Sequence, residues 1–315
     1  MRHPSGYIVY YDAERLSNAS TSKRLELFQA IIEGILEKDI VAGNTAYWLG
    51  RDLTGLDENS QPEGVSFKTD TSHGKFSAEQ SLKLIRDMDR LSGFIKAIGR
   101  WPRQEAIMDV GCGAFPILAL AAAIHHPKAE IRAVEIDPDA AEAAEEIISQ
   151  FGFESRVQVL NTDIADQQID TNTTAAVTET FNSALQEEPG PKIVRLLHQA
   201  GVKLITPSSS ELRLSVGEKR FYQQVDLRTD TDAAISFYDI DNAALEIEYP
   251  NISASYHDDY GLVLPYDTDV ISGGLPFSLK MELRPVLAKA GSSGRLSYEL
   301  GKYPFEPKVK QLAAA

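Results

Sequence analysis

Cysteine is nearly absent from this chain, since Cys112 is the single thiol among 315 residues. One thiol cannot close a disulfide within the chain or supply a cysteine-based metal site. The six histidines also lack the pair at positions i and i+4 that a zinc helix of the H-E-x-x-H type requires. The sequence therefore predicts neither a disulfide framework nor a bound metal.

Long apolar runs are missing as well. No run approaches the roughly 18 residues of a transmembrane helix. The first residues lack the charged-then-apolar layout of a signal peptide. We therefore expect a cytoplasmic protein with no membrane partner.

Basic residues are scarce relative to acidic ones. The chain has 31 Lys and Arg against 46 Asp and Glu, which gives a formal net charge of −15. No basic cluster is longer than a pair such as Lys23-Arg24. Nucleic-acid phosphates are bound by footprints of Lys and Arg, so we expect no nucleic-acid partner. The acidic balance aids solubility and electrostatically favours cationic substrates or basic partners.

The hydrophobic pattern changes twice along the chain. Apolar residues recur at helical spacing in 22–38 and 81–98, and a polar stretch rich in turn residues lies between them. Helices and strands then alternate, and the last third shows short alternating runs typical of strands. The pattern predicts an α/β fold with three parts. They are a helical cap or lid at 1–103, a Rossmann-like doubly wound sheet at 104–207 and a β-rich domain at 208–315.

Apolar runs predict the individual strands. The strands of the central sheet are expected at 106–110, 131–136, 157–161, 175–178 and 202–205. Strands of the β-rich domain are expected at 212–216, 244–249 and 277–283.

A tight glycine turn follows the first predicted strand. Gly111 and Gly113 let the backbone approach a ligand without interference from a Cβ atom, and Pro116 is acceptable as the first residue of the next helix. Glu135 closes the second strand, where doubly wound folds place a carboxylate on ribose hydroxyls. These features predict a nucleotide-cofactor loop. Pro116 replaces the third glycine of G-x-G-x-x-G, which favours a cofactor without phosphates over a nicotinamide dinucleotide.

These motifs resemble those of the class I S-adenosylmethionine-dependent methyltransferases. The matching segments, in order, are Asp109-Val110-Gly111-Cys112-Gly113, Val134-Glu135-Ile136-Asp137-Pro138 and Val159-Leu160-Asn161-Thr162-Asp163-Ile164. The resemblance implies S-adenosylmethionine as cofactor, with Glu135 on the ribose hydroxyls and Asp163 at the adenine amino group. It departs from the family at Phe115, where many members have a further glycine. The other cofactor contacts that it implies within these motifs are Asp109, Gly111, Gly113, Ile136, Thr162 and Ile164.

The segment after the fourth predicted strand is similar to the protein arginine methyltransferase branch of that family. This branch clamps a guanidinium group between two glutamates nine residues apart, and Glu179 and Glu188 have this spacing. It also binds the cofactor carboxylate through an arginine three residues after an aspartate, as Arg90 follows Asp87 here. The resemblance therefore implies Glu179 and Glu188 as catalytic residues and Arg90 as a cofactor residue, with Glu179 also bordering the cofactor.

The sequence leaves more than one function open. The β-rich part contains no Thr-His-Trp triplet, so we expect methyl transfer to a small acceptor with an amine or guanidine group. One alternative is a cyclase or alkyltransferase that consumes S-adenosylmethionine and releases methylthioadenosine, for instance in azetidine-type amino acid formation. A protein arginine methyltransferase and a non-catalytic cofactor-binding protein are further alternatives. The oligomeric state is also open, with a homodimer among the candidates.

Overall fold

The computed structural model of the chain describes two compact units. The described residues are 88–181, 185, 188–216, 218–239, 246–247, 251–264, 286–287, 293–302 and 308–312. The first unit contains the described residues up to Glu179 together with Ala200–Leu204, and the second contains Thr180–Gln199 and the described residues from Ile205 onward. Most of the predicted helical cap, residues 1–87, lies outside the described residues. The predicted domain boundaries at 103 and 207 stay predictions.

A five-stranded sheet with the order β3-β2-β1-β4-β5 forms the centre of the α/β fold. Its strands are β1 (Ala106–Val110), β2 (Glu130–Glu135), β3 (Val157–Asn161), β4 (Ala175–Thr178) and β5 (Leu204–Thr206). β1 pairs in parallel with both β2 and β4, and β2 pairs in parallel with β3. The strand order reverses direction between β1 and β4, which is the place where doubly wound sheets bind ligands. The expected Rossmann-like sheet is thus confirmed.

One helix precedes the sheet, and the others lie between successive strands along the chain. The helices are α1 (Met88–Arg100), α2 (Ile117–His125), α3 (Pro138–Gln150) and α4 (Gly190–Gln199), and a 3₁₀ turn (Ile164–Asp166) follows β3. Every residue of α2 from Ile117 to Ile124 is buried, because this helix is apolar on all sides. α1 packs against α2 through a face that includes the fully buried Leu91 and Phe94. No helix within the described ranges is long and apolar enough to cross a membrane.

Two strands of the central sheet were predicted with wrong bounds at both ends. The second strand was expected at 131–136 but is Glu130–Glu135, and beyond its end the Ile136 carbonyl accepts a side-chain hydrogen bond from Asn161 at 3.2 Å. The fifth strand was expected at 202–205 but is Leu204–Thr206. The amides of Lys203 and Leu204 both donate to the carbonyl of Thr174, at 3.3 and 3.2 Å, and regular strand pairing begins only at Leu204.

The C-terminal part is built from antiparallel strands, as the alternating pattern predicts. The strands are β6 (Ser209–Val216), β7 (Lys219–Asp226), β8 (Asp232–Phe237), β9 (Glu246–Ile247), β10 (Asn251–His257), β11 (Val263–Leu264), β12 (Val286–Leu287), β13 (Ser293–Glu299) and β14 (Lys308–Leu312). They form sheets with the orders β11-β10-β6-β7, β14-β13-β8 and β12-β9. In β6 Leu212 and Leu214 are buried while Arg213 between them is exposed, which gives the period of two. The strand expected at 277–283 lies outside the described residues.

Candidate active site

The glycine turn lies at the carboxyl end of β1. The amides of Gly111 and Cys112 both donate to the carbonyl of Val134 in β2, at 2.8 and 3.1 Å, so the backbone bends sharply away from the strand. Gly111 and Gly113 have φ angles of 74° and 64°, in the left-handed region that glycine adopts without cost from a Cβ atom. Helix α2 begins at Ile117, with Pro116 as its N-cap rather than its expected first residue.

Glu135 holds the glycine turn from the neighbouring strand. Its Oε2 accepts the amide of Gly113 and its Oε1 accepts the amide of Asp137, both at 2.9 Å. Burial raises the pKa of Glu135, and the amide bonds from Asp137 and Gly113 oppose that rise. A carboxylate has about four lone-pair positions, so both oxygens can accept further hydrogen bonds from ligand hydroxyls.

Asp109 connects β1 to the start of α2. Its Oδ2 accepts the amide of Ala119 in the first turn of α2 at 2.9 Å, and so satisfies a donor that the helix itself leaves open. Its buried Oδ1 has no hydrogen-bond partner among the described residues. Burial raises the pKa of Asp109 to about 7, and the nearby charges of Glu135 and Glu179 add to the rise. Asp109 is therefore a buried acid with one oxygen able to take a cationic or hydrogen-bonding ligand.

The carboxyl end of β3 completes the edge on the other side of β2. The side-chain amide of Asn161 donates to the backbone carbonyls of Glu135 and Ile136. The backbone amide of Thr162 also donates to the Glu135 carbonyl. Asp163, the predicted adenine residue, is exposed, and its Oδ1 accepts the Ala165 amide at 2.9 Å, which caps the 3₁₀ turn. The predicted residues Thr162 and Ile164 flank it along the chain, Ile164 being buried.

Arg90 and Glu179 form an ion pair in which the Arg90 Nη1 to Glu179 Oε1 distance is 2.7 Å. Arg90 lies on α1 and is buried, with 5% of its surface exposed. Glu179 comes directly after β4, whose last residue, Thr178, donates its hydroxyl to the Val110 carbonyl at 2.8 Å. The structure thus brings together a predicted cofactor residue and a predicted catalytic residue.

Glu188, the second predicted catalytic glutamate, belongs to the C-terminal unit and is half-buried. It lies two residues before Gly190, the first residue of α4. The Gly190 amide donates to the Thr180 carbonyl at 2.9 Å, which closes the base of the loop that leads to α4. Residues 182–184, 186 and 187 of this loop lie outside the described residues.

Sequence reasoning missed three contacts that shape the site. They are the Asp109 bond to α2, the Glu135 bond to Gly113 and the Arg90–Glu179 ion pair. The contact between Glu135 and Gly113 had a usable signal in the sequence. A carboxylate ends one predicted strand and a glycine turn follows its neighbour, and parallel strands bring these ends together. The third contact had no local signal, since its partners are 89 residues apart.

The central part of the chain is similar to a known methyltransferase family. Residues 94–187 match the family model described as ribosomal protein L11 methyltransferase (PrmA). No curated protein gives a significant sequence match.

Solved structures resemble the fold at low sequence identity. A PRMT1 enzyme–prozyme heterotetrameric complex with AdoHcy from Trypanosoma brucei has a TM-score of 0.54 and 13% identity, covering 74% of this chain and 97% of its own. Protein arginine methyltransferase 10 from Arabidopsis thaliana has a TM-score of 0.52 and 10% identity, covering 76% of this chain and 99% of its own. A crystal structure of PRMT6 has a TM-score of 0.50 and 10% identity, covering 73% and 98%.

Proposed function

We propose that this chain, a class I S-adenosylmethionine-dependent methyltransferase with a fold like that of the protein arginine methyltransferases, acts on a small acceptor carrying a guanidine or amine. The enzyme class and the cofactor follow from the family match and the shared fold. The proposal concerns the acceptor and the residues that bind it.

The residues at the carboxyl edge of the sheet fit S-adenosylmethionine. Gly111 and Gly113 leave room for a close approach, and the buried Oδ1 of Asp109 lacks a partner among the described residues, as expected of a group that binds a ligand. When bound, the cofactor supplies a methyl group on a positively charged sulfur. In our proposal Glu135 accepts the ribose hydroxyls, and Arg90 binds the cofactor carboxylate, because a guanidinium can bond two carboxylates at once.

The position of Glu179 carries the acceptor proposal. Its carboxylate follows β4 at the strand-order reversal, is held by Arg90, and lies close enough to Asp109 to raise the pKa of that acid. Such a charge attracts a guanidinium or ammonium group and can orient its nitrogen toward the methyl group. It can also take up the proton that the nitrogen loses on methylation. Glu188 is the second carboxylate that the resemblance assigns to the acceptor.

A small acceptor is favoured over a protein arginine by the departures from that branch. The β-rich part lacks the Thr-His-Trp triplet, and both tryptophans, Trp48 and Trp101, precede Glu179. The names of the similar structures favour protein arginine as the second candidate. Both candidates present a guanidinium to the same carboxylate. We further propose a role in small-molecule biosynthesis in the cytoplasm, in keeping with a chain that has one cysteine.

Replacement of Glu179 by glutamine tests this role. Glu179→Gln keeps the shape and one hydrogen-bond acceptor but removes the charge, so turnover of agmatine, which carries both a guanidine and an amine, should fall about a hundredfold or more. Affinity for S-adenosylmethionine, measured by calorimetry, should change by no more than about fivefold. The matched control is Glu105→Gln, an exposed glutamate just before β1, which should behave like the parent. Turnover by Glu179→Gln within a few-fold of the parent would remove Glu179 from the acceptor site.

A further inference from the structure

The loop that carries Glu188 is closed at its base by a glycine. The Gly190 amide donates to the carbonyl of Thr180 at 2.9 Å. A Cβ atom at Gly190 would collide with that carbonyl and with the ring of Phe181, so only glycine fits there. The chain therefore leaves and re-enters the loop at one fixed point.

A second contact holds the middle of the loop. Leu185 is fully buried and has a φ angle of 58°, in the left-handed region that leucine rarely adopts. Its carbonyl accepts the amide of Gly301 at 2.7 Å. A residue keeps such a backbone conformation only where its surroundings determine it, and here burial and this hydrogen bond do so.

Gly301 also lies against the backbone of Glu188. Gly301 lies just after β13 and has a φ angle of 67°. The amide of its neighbour Leu300 donates to the Thr231 carbonyl at 2.8 Å. A Cβ atom at Gly301 would lie 3.1 Å from the Glu188 carbonyl oxygen, closer than the usual contact distance. The turn after β13 thus contacts the loop at Leu185 and at Glu188.

We propose that Gly301 is a positioning residue for the acceptor, which acts by fixing the backbone of Glu188. The inference rests on the proposed role of Glu188 as an acceptor carboxylate. In this arrangement the Gly301 amide fixes the backbone at Leu185, and the absence of a Cβ atom at Gly301 lets the Glu188 carbonyl lie against the turn. A displacement of that backbone moves the carboxylate relative to the guanidinium, and a shift of about 1 Å can cost up to about a hundredfold in rate.

The chain offers a matched control for a substitution at Gly301. Gly261 belongs to the same unit, also has a left-handed φ angle (74°), and has no atom within 4 Å of the point that a Cβ atom would occupy. Gly301→Ala and Gly261→Ala therefore introduce the same kind of backbone strain, but Gly301→Ala alone presses on Glu188. We expect Gly301→Ala to weaken agmatine binding to the enzyme–S-adenosylhomocysteine complex about tenfold by calorimetry. Gly261→Ala should leave it within about twofold. Both variants should bind S-adenosylhomocysteine as the parent does.

A double-mutant cycle separates this inference from the proposed function. If Gly301 acts through Glu188, Gly301→Ala should add little to the loss caused by Glu188→Gln. Full additivity, or an effect of Gly301→Ala no larger than that of Gly261→Ala, would overturn the role of Gly301 while leaving that of Glu188 intact. Agmatine binding that is absent in the parent, or unchanged by Glu188→Gln, would overturn the proposed function and this inference together. Should Gly301→Ala fail to fold, Gly301→Asn against Gly261→Asn makes the same comparison, because asparagine tolerates the left-handed region.

Discussion

Asp109 shows how one buried residue can serve the fold and also belong to the proposed cofactor site. Its Oδ2 accepts the amide of Ala119 and so secures the start of α2, while its Oδ1 is buried beside Glu135 and Glu179. Burial raises the pKa of this carboxyl from 3.8 to about 7. The folded protein therefore holds a proton on Asp109 that the unfolded chain releases between about pH 4 and pH 7.

This difference gives a pH dependence with a definite sign. Where the folded state binds more protons than the unfolded state, the free energy of unfolding falls as the pH rises. We expect the titration of Asp109 to lower the free energy of unfolding by up to about 1.4 kcal/mol per pH unit between about pH 4 and pH 7. Asp109→Asn keeps an oxygen acceptor for Ala119 but cannot ionise, so its stability should decline less steeply with pH. Urea unfolding of both proteins at several pH values measures the slopes, and equal slopes would show that Asp109 does not titrate in this range.

The contact between Arg90 and Glu179 could not be predicted from the sequence. Both side chains were identified through their resemblance to family motifs, yet nothing in the local sequence of either one indicates the other. Their contact depends on where α1 lies relative to the end of β4, 89 residues further along the chain. Patterns that operate over a few residues cannot carry that information.

At the scale of elements, the glycine turn and the end of β2 act as one unit. The carboxylate of Glu135 bonds the amides of Gly113 and Asp137, so it links the turn after β1 to the turn before α3. The side-chain amide of Asn161 braces the same region from β3. Three neighbouring strands thus share one hydrogen-bonded edge, which holds the proposed ribose acceptor in a fixed position.

Glu135→Ala should therefore weaken cofactor binding through two losses. The ribose hydroxyls lose a charged acceptor, and the Gly113 amide in the glycine turn loses its acceptor. Together we expect about a 10- to 100-fold lower affinity for S-adenosylmethionine, in line with roughly 1.5–3 kcal/mol for a hydrogen bond to a charged group. Glu130→Ala, an exposed glutamate at the other end of β2, is the matched control. Calorimetry on a folded Glu135→Ala protein that shows the parental affinity would exclude Glu135 from the cofactor site.

The strands were predictable where side-chain pattern alone sets their ends. β1, β3 and β4 match the predicted bounds residue for residue, because each is rich in apolar residues and is followed by polar or turn residues. β2 and β5 do not match, and hydrogen bonds with residues distant in sequence lie at their ends: the Asn161 side chain donates to the Ile136 carbonyl, and the Thr174 carbonyl accepts the Leu204 amide. Local side-chain patterns do not indicate such contacts.

For the whole molecule, the net charge is consistent with the proposed cationic acceptor. The chain has a formal net charge of −15, and three acidic residues lie in the last two positions of a strand or directly after one at the carboxyl edge of the parallel sheet, namely Asp109, Glu135 and Glu179. A cofactor with a positive sulfur and an acceptor with a positive nitrogen both gain from such a field. The two glutamates that the resemblance assigns to the acceptor belong to different units, Glu179 to the first and Glu188 to the second, and their spacing in the sequence does not indicate this division.

Transfer of a labelled methyl group tests most directly whether this protein methylates a small guanidine or amine acceptor. The parent enzyme is incubated with S-adenosylmethionine carrying a deuterated methyl group, in separate reactions with agmatine, with an arginine-rich peptide and without an acceptor, and all products are identified by mass spectrometry. We expect S-adenosylhomocysteine together with agmatine that has gained the deuterated methyl group, and no methylthioadenosine in any reaction. Labelled peptide with unlabelled agmatine, or methylthioadenosine formed without an acceptor, would contradict methyl transfer to a small acceptor.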